Sequence, residues 1–372
     1  MALQVDMPPK SMKRMIFTPP RPCFQSVQGT IGKLAEELRE VNTVQHGFIE
    51  NSGIIQTIES FFHAYNTIAI VHGSFMTGSL LPASDLDVLL VSEPGNVESV
   101  IGMLRDFSIS MNALITNEVV IPGNLVRMKI TDEAGNMIQL DFMCVWNICE
   151  QQPIHSIYTY TQRTKLRYVE ACPPVPIRAH VVCSPYVPRH VNELQAMALT
   201  ITSNDKTHVA YLLTKMAVDT PLSSVAIFCL INMCKFHADS TLVILQNMLK
   251  VMEAIEEAVN LPKDKKPVDM SIETKQVFDK LSRYYHFDGS IYILMEHQLK
   301  QIANALPDFT EFLTSVSLID DDGNPTDVTG RNVNNTKLHS ICTELTELLH
   351  ASKKSKMPDF KDKARAIITR SN

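Results

Sequence analysis

His72-Gly-Ser-Phe-Met-Thr-Gly-Ser-Leu-Leu-Pro-Ala-Ser-Asp-Leu-Asp87 lies between two short apolar runs, Thr67-Ile-Ala-Ile-Val-His72 and Leu86-Asp-Val-Leu-Leu-Val-Ser92. The first is also β-branched, and both are predicted to be buried strands. The first ends at Gly73-Ser74, where a short helix or turn follows. Free backbone N–H groups at such a turn, together with the Ser74 hydroxyl, can hold a phosphate. Residues two apart on a strand share a face, so Asp85 and Asp87 set two carboxylates side by side. Grouped carboxylates repel and lose hydration unless a cation is present. Divalent magnesium suits them, because it takes oxygen ligands and accompanies substrate phosphates. A third carboxylate, Asp141, interrupts the apolar strand Ile138-Gln-Leu-Asp-Phe-Met-Cys144. A lone charge there is expensive to bury, and sharing the same cations accounts for it. A lone Asp-x-Asp is common and a lone Gly-Ser is a turn. It is the whole spacing, with Ser84 before the acid pair and Asp141 in a later strand, that points to chemistry.

Working outward, residues 1–27 read as a flexible Pro-rich arm, a possible docking peptide. Ile31, Leu34, Ala35, Leu38 and Val41 recur at helical spacing, predicting an amphipathic helix over 28–45 within a 28–50 segment that packs on the central domain. A second helix is predicted over 52–63. After the two strands, Asn96 can cap a helix over 97–107. Val119–Ile121, Leu125–Ile130 and Met137–Trp146 read as further strands, with Gly135-Asn136 as a hairpin turn. This block, 51–150, is read as the catalytic domain. From about 190 to 350 the pattern turns helical, over 205–218, 222–237, 240–259, 271–285, 290–305 and 335–350. A tail over 351–372 carries seven basic residues against Asp359 and Asp362. The predicted class is α+β: a small mixed sheet with helices, plus a mainly helical central domain over 151–350, with a cleft between.

The 372 residues suit two domains, and 45% apolar against 20% charged residues excludes a disordered or coiled-coil chain. No apolar run approaches the ~20 residues of a membrane helix, so no membrane partner is expected. A net charge of −6 confines any nucleic acid to a local channel or an end. The eight cysteines show no C-x-x-C pair and no zinc spacing, which fits a reducing compartment. A cytoplasmic location is expected, with nucleus or mitochondrion left open.

Gly73-Ser74 followed by Asp85-Leu-Asp87 resembles the signature of the polymerase-β-like nucleotidyltransferases. The longer stretch 73–88 is similar to the non-canonical poly(A) polymerase and terminal uridylyltransferase family. Val126-Arg-Met-Lys-Ile130 with 135–141 resembles the strand pair that carries the third carboxylate, and 278–288 the poly(A)-polymerase-associated segment. The resemblance implies a template-independent RNA 3′-terminal transferase adding AMP or UMP from an NTP. Two Mg²⁺ or Mn²⁺ ions would be held by Asp85, Asp87 and Asp141, with Asp141 nearest the attacking hydroxyl. Gly73, Ser74 and Ser84 would hold the β- and γ-phosphates. Family members also carry an Asn-Ser/Thr pair opening a central helix, an Asp-Pro-Arg-like turn, and two lysines one helical turn apart. Here those places hold His208-Val209, Asp219-Thr-Pro221, Lys235 and Asp239. Lys235 either reaches the triphosphate or snorkels to the surface; His208 reads as a packing or surface residue rather than a ribose contact. Asn332, in the base pocket by resemblance, follows Arg331, which slightly favours ATP over UTP. No RNA-binding module is present, so the RNA 3′ end is expected to be delivered by an RNA-binding partner protein, with the basic tail touching phosphates or lying solvated. Two alternatives stay open: an inactive paralogue serving as an interaction subunit of an RNA-processing complex, and a transferase to a small molecule or protein.

Overall fold

Five strands form one mixed sheet in the computed structural model, which describes residues 22–82, 84–92, 97–119, 125–131, 137–146, 191–220, 222–236, 238–260, 296–316, 336–353 and 357–370. The strands are β1 (Ile68–His72), β2 (Leu86–Ser92), β3 (Leu114–Val119), β4 (Leu125–Thr131) and β5 (Met137–Trp146). Their order is β1-β2-β5-β4-β3, and only β2 and β5 run parallel. The class is α+β.

One sheet face carries Ala69, Val71, Leu86, Val88, Leu90, Val126, Met128, Leu140 and Phe142 into a buried cluster. Helix α2 (Ile54–His63) and helix α4 (Val97–Ser110) close it with Ile55, Ile58, Phe62, Met103, Leu104 and Phe107. Helix α1 runs from Pro22 to Asn51, longer than the predicted stretch, and stops at Gly53, whose φ of 69° is ready for the left-handed turn into α2. Its Ile31 to Val41 stripe enters a second, helical core, while Ile49 enters the sheet core. Between β1 and β2 lies the short α3 (Gly73–Thr77).

The helical core holds α5 (Val191–Thr202), α6 (Asp205–Ala217), α7 (Ser224–Cys234), α8 (Thr241–Val259), α9 (Glu296–Val316), α10 (Thr336–Ser352) and α11 (Phe360–Thr369). Asn204, Ser223 and Ser240 each accept a hydrogen bond from the first turn of the helix they precede. α9 runs past the predicted end at 305 and through Pro307. The ring costs a ladder bond, but Phe309, Phe312, Leu313 and Val316 stay buried and carry the helix on. β3 lies earlier than the strand predicted at 119–121. It is an edge strand whose Leu114 is 65% exposed, so burial leaves little pattern to read. Asn96, Gly135-Asn136, the predicted helix 271–285, the segment 278–288, Arg331 and Asn332 lie outside the described residues. Among the described residues no helix is long and apolar enough to cross a membrane.

Part of the segment expected as a basic tail, Phe360–Thr369, is the helix α11. Phe360, Ala364 and Ile368 recur at four-residue spacing and are buried in the helical core against α6 and α10. Lys361 and Lys363 remain exposed, and Arg365 pairs with Asp219. Phe360→Ala is therefore expected to cost about 3 kcal/mol of stability, measured by denaturant unfolding; a loss below about 0.5 kcal/mol would show that α11 is not part of the core.

Candidate active site

Residues paired across neighbouring strands project to the same face of a sheet. The pairing is His72 with Asp87, Asp87 with Asp141, and Asp141 with Arg127. One row across β1, β2, β5 and β4 thus holds a histidine, two carboxylates and a guanidinium. It lies on the face opposite the sheet core, because the intervening Leu86, Val88, Leu140 and Phe142 fill that core. Asp85 stands two residues before Asp87, at the mouth of β2. The register therefore sets Asp87 beside Asp141, with Asp85 just before the start of β2.

Gly73 is held there by two constraints. Its φ is +66°, and a Cβ on it would lie 2.6 Å from the Asp87 Cγ and 3.0 Å from its Cβ. Only glycine meets both demands. The close approach lets the Ser74 backbone N–H donate to the Asp87 carboxylate. Ser74 itself is 8% exposed. The Ser84 hydroxyl accepts from the Leu81 N–H at 2.8 Å, while the Ser84 N–H donates to the Leu81 carbonyl at 2.8 Å, so Ser84 closes its own loop. Helix α1 braces this segment from outside: the Asn42 side-chain oxygen accepts from the Leu80 N–H at 3.0 Å, and the His46 ring stacks on Phe75 at 4.0 Å.

The electrostatics are those of an acid cluster out of water. Burial first, and then Asp141 and Asp87, push the Asp85 carboxyl up to about 6, against the pull of Lys361 and Arg127. Burial and Asp141 push Asp87 to about 6, opposed by Lys215, the Ser74 N–H and Lys361. His72 gives no relief, because burial lowers it to about 4 and leaves it neutral. Asp141 is 8% exposed. Arg127 Nε donates to its Oδ2 at 3.0 Å, and its buried Oδ1 has no hydrogen-bond partner among the described residues.

Among the described residues no three His, Cys, Asp or Glu side chains stand, as placed, in an arrangement that could hold a metal ion. The donor chemistry nonetheless fits a hard divalent cation: carboxylate oxygens only, mutually repelling, one of them buried and orphaned.

Three cations near the acids were not singled out from the sequence: Arg127, Lys215 and Lys361. Lys215, on α6, donates to the Tyr211 hydroxyl at 3.0 Å and to Ser224 Oγ at 3.4 Å. Tyr211 and Ser224 are 3.2 Å apart, and Thr77 and Ser79 hydroxyls 2.8 Å apart. Burial would raise the Tyr211 hydroxyl, but the Lys215 charge and hydrogen bonds from Ser224, Lys215 and Ser79 outweigh it and bring it down. The signal available was the Tyr211-x-x-x-Lys215 spacing on one helix face. Lys235 stands at the end of α7 with its ammonium 5.6 Å from the Phe236 ring centroid. His208 is 2% exposed and held down at about 4 by burial, the setting of a packing residue.

No protein-family model and no curated protein sequence matches the chain. Solved structures of similar fold include the polymerase core of TRAMP, an RNA surveillance complex, at 14% identity and TM-score 0.35, covering 87% of each chain. The Cid1 poly(U) polymerase is 10% identical with a TM-score of 0.39, over 80% of this chain and 95% of that one. A cytoplasmic RNA terminal U-transferase is 10% identical with a TM-score of 0.30, over 90% of this chain and 98% of the other. Likenesses of this size carry no argument about chemistry, which rests on the side chains above.

Two outcomes are expected. Gly73→Ala forces the new methyl against Asp87 and should cost about 2 kcal/mol or more in stability, read by denaturant unfolding; wild-type stability would show that the loop relaxes freely. Because the Asp85 and Asp87 carboxyls are raised, their contribution to stability is whole below about 3.8 and is lost as pH rises through about 6. Asp87→Asn should therefore raise the melting temperature of the metal-free protein by about 2 °C at pH 7.5, a gain that vanishes near pH 4. A gain of the same size at both pH values would mean that charge repulsion is not its source.

Proposed function

We propose that this chain is a template-independent RNA 3′-terminal nucleotidyltransferase that adds AMP or UMP from an NTP. The observation that carries the reading is the side-by-side placement of Asp87 and Asp141 on parallel strands, next to Asp85 and the Gly73-Ser74 turn. Carboxylates that repel one another out of water, one with an orphaned buried oxygen, are hard to explain without a cationic ligand.

In this reading Asp85, Asp87 and Asp141 would hold two Mg²⁺ or Mn²⁺ ions. Bound there, the ions would supply Lewis acidity to the attacking and leaving oxygens. The chain's own groups do the rest. Asp141 would sit nearest the RNA 3′-hydroxyl and accept its proton. The 3′-oxygen then forms a bond to the α-phosphorus as the bond to pyrophosphate breaks, so the RNA gains one nucleotide and pyrophosphate leaves. The Ser74 N–H keeps the Asp87 carboxylate turned toward this point, and Gly73 leaves room for it. Gly73, Ser74 and Ser84 would line the phosphates, with Asn332 toward the base and ATP slightly favoured over UTP. An RNA-binding partner protein would deliver the RNA end.

A second reading, an inactive subunit of an RNA-processing complex, is favoured by one feature: Asp141 already has a partner in Arg127. The two readings separate in one experiment. Full-length protein is incubated with labelled RNA, Mg²⁺ or Mn²⁺, and each NTP in turn. Extension with ATP or UTP that falls by about 10²-fold or more in Asp85→Ala, Asp87→Ala and Asp141→Ala supports the transferase. Absence of extension with every NTP and metal, in protein that is folded, supports the subunit.

A further inference from the structure

The acids at the sheet edge face cations that the chain brings from its helical core, and one of these is held in an unusual way. Lys215 lies on α6, and among the described residues the hydrogen-bond partners of its ammonium are hydroxyls, Tyr211 at 3.0 Å and Ser224 at 3.4 Å. Neither neutralises it. The hydroxyls come from different places in the fold: Tyr211 from α6, Ser224 from the start of α7, and Ser79, which bonds Tyr211, from the loop after α3. Ser79 and Tyr211 are 2% and 1% exposed, whereas Lys215 keeps part of its surface in water. An ammonium fixed by hydroxyls from three parts of the fold has lost its freedom without gaining a carboxylate among those bonds. That is the preparation a binding site for an anion needs, since the ordering cost is met before the ligand arrives.

Its position selects the anion. The Tyr211 hydroxyl that holds Lys215 also bonds Ser79, whose hydroxyl is 2.8 Å from that of Thr77, and Thr77 Oγ1 donates to the Gly73 carbonyl at 3.1 Å, so Lys215 is tied to the turn beside Asp87. A ligand reaching from the carboxylates to Lys215 must carry negative charge at a distance from its reacting end, as a nucleoside triphosphate does. The rest of α7 offers no cation. Ala226 through Cys234 are buried, and Lys235, at the helix end, lies over the Phe236 ring.

We propose that the Lys215 ammonium, fixed by the Tyr211 and Ser224 hydroxyls, is the anchor for the phosphate tail of the nucleotide, in the role first expected of Lys235. The assignment rests on the nucleotidyl-transfer reading for its ligand, but its test does not. Binding of inorganic tripolyphosphate to the full-length protein is measured by calorimetry without divalent cations. Lys215→Met should weaken it about tenfold or more, Lys215→Arg about threefold at most, and Lys235→Met about twofold at most. Melting curves establish that each variant is folded. Should Lys215→Met fail that check, Ser224→Ala, which keeps the charge but loosens it, should weaken binding about threefold. Wild-type protein that does not bind tripolyphosphate, Lys215→Met (or, in its place, Ser224→Ala) that binds like wild type, or a loss that follows Lys235 instead would overturn the assignment. RNA extension on the same samples keeps the two claims apart. Binding through Lys215 with no transfer to RNA refutes the transferase and leaves the anchor, while undiminished extension by Lys215→Met refutes the anchor alone.

Discussion

The parallel pairing of β2 with β5 is the constraint on which the site depends. It is the only parallel pair among the described strands, and it sets Asp87 beside Asp141. Parallel neighbours cannot be joined by a tight turn; they need a crossover. Here the crossover is α4, β3 and β4, and β4 returns antiparallel to β5 with Arg127 opposite Asp141. The same connection that makes the parallel pair possible therefore delivers the guanidinium that steadies its second carboxylate. A one-residue slip between β2 and β5 would turn Asp141 into the apolar core and Phe142 out of it. Core packing by Leu140 and Phe142 thus specifies the position of the acid between them.

Repulsion between the acids has to be offset elsewhere, and apart from Arg127 on β4 the offset comes from the helical part. α1 is the brace. Its first half packs among α6 and α10, while its second half holds the Gly-Ser segment through Asn42 and His46. Because α6 packs on α1, the side of α6 bearing Tyr211 and Lys215 meets the loop after α3. α11 adds Lys361 from the far end of the chain. Positive charge thus reaches the acids from β4, α6 and α11, three places with no sequence proximity.

That distribution explains what the sequence disclosed and what it withheld. β1, β2 and β5 were legible as short apolar runs, β1 also β-branched, and Asp87 and Asp141 stood out by interrupting them. Gly73-Ser74 was legible because a strand must end there. Lys215 was not. A lysine inside a helical pattern reads as solvated, and nothing local says which way α6 turns that face. α11 was hidden by its own charges: Phe360, Ala364 and Ile368 form a clear apolar stripe, but seven basic residues around it suggested a loose tail. β3 left little trace, since an edge strand with an exposed Leu114 has no buried face to impose alternation. Ser84 follows from spacing alone, and its hydroxyl closes a loop, a local use that spacing does not distinguish from ligand binding.

The balance of charge at the sheet edge argues for a site that alternates between internal and external partners. Carboxylates held near a pKa of about 6 are only weakly compensated by the chain. Arg127 satisfies one oxygen of Asp141 and leaves the other orphaned. Full internal compensation would have made a stable salt-bridge network with nothing left to bind. No compensation would have cost more than a marginally stable fold can bear. Partial compensation, by cations that sit beside the acids rather than on them, leaves a fold that tolerates its own repulsion and a surface where an added cation with an anionic ligand lowers the free energy further. The incompleteness of the network is what makes it a site.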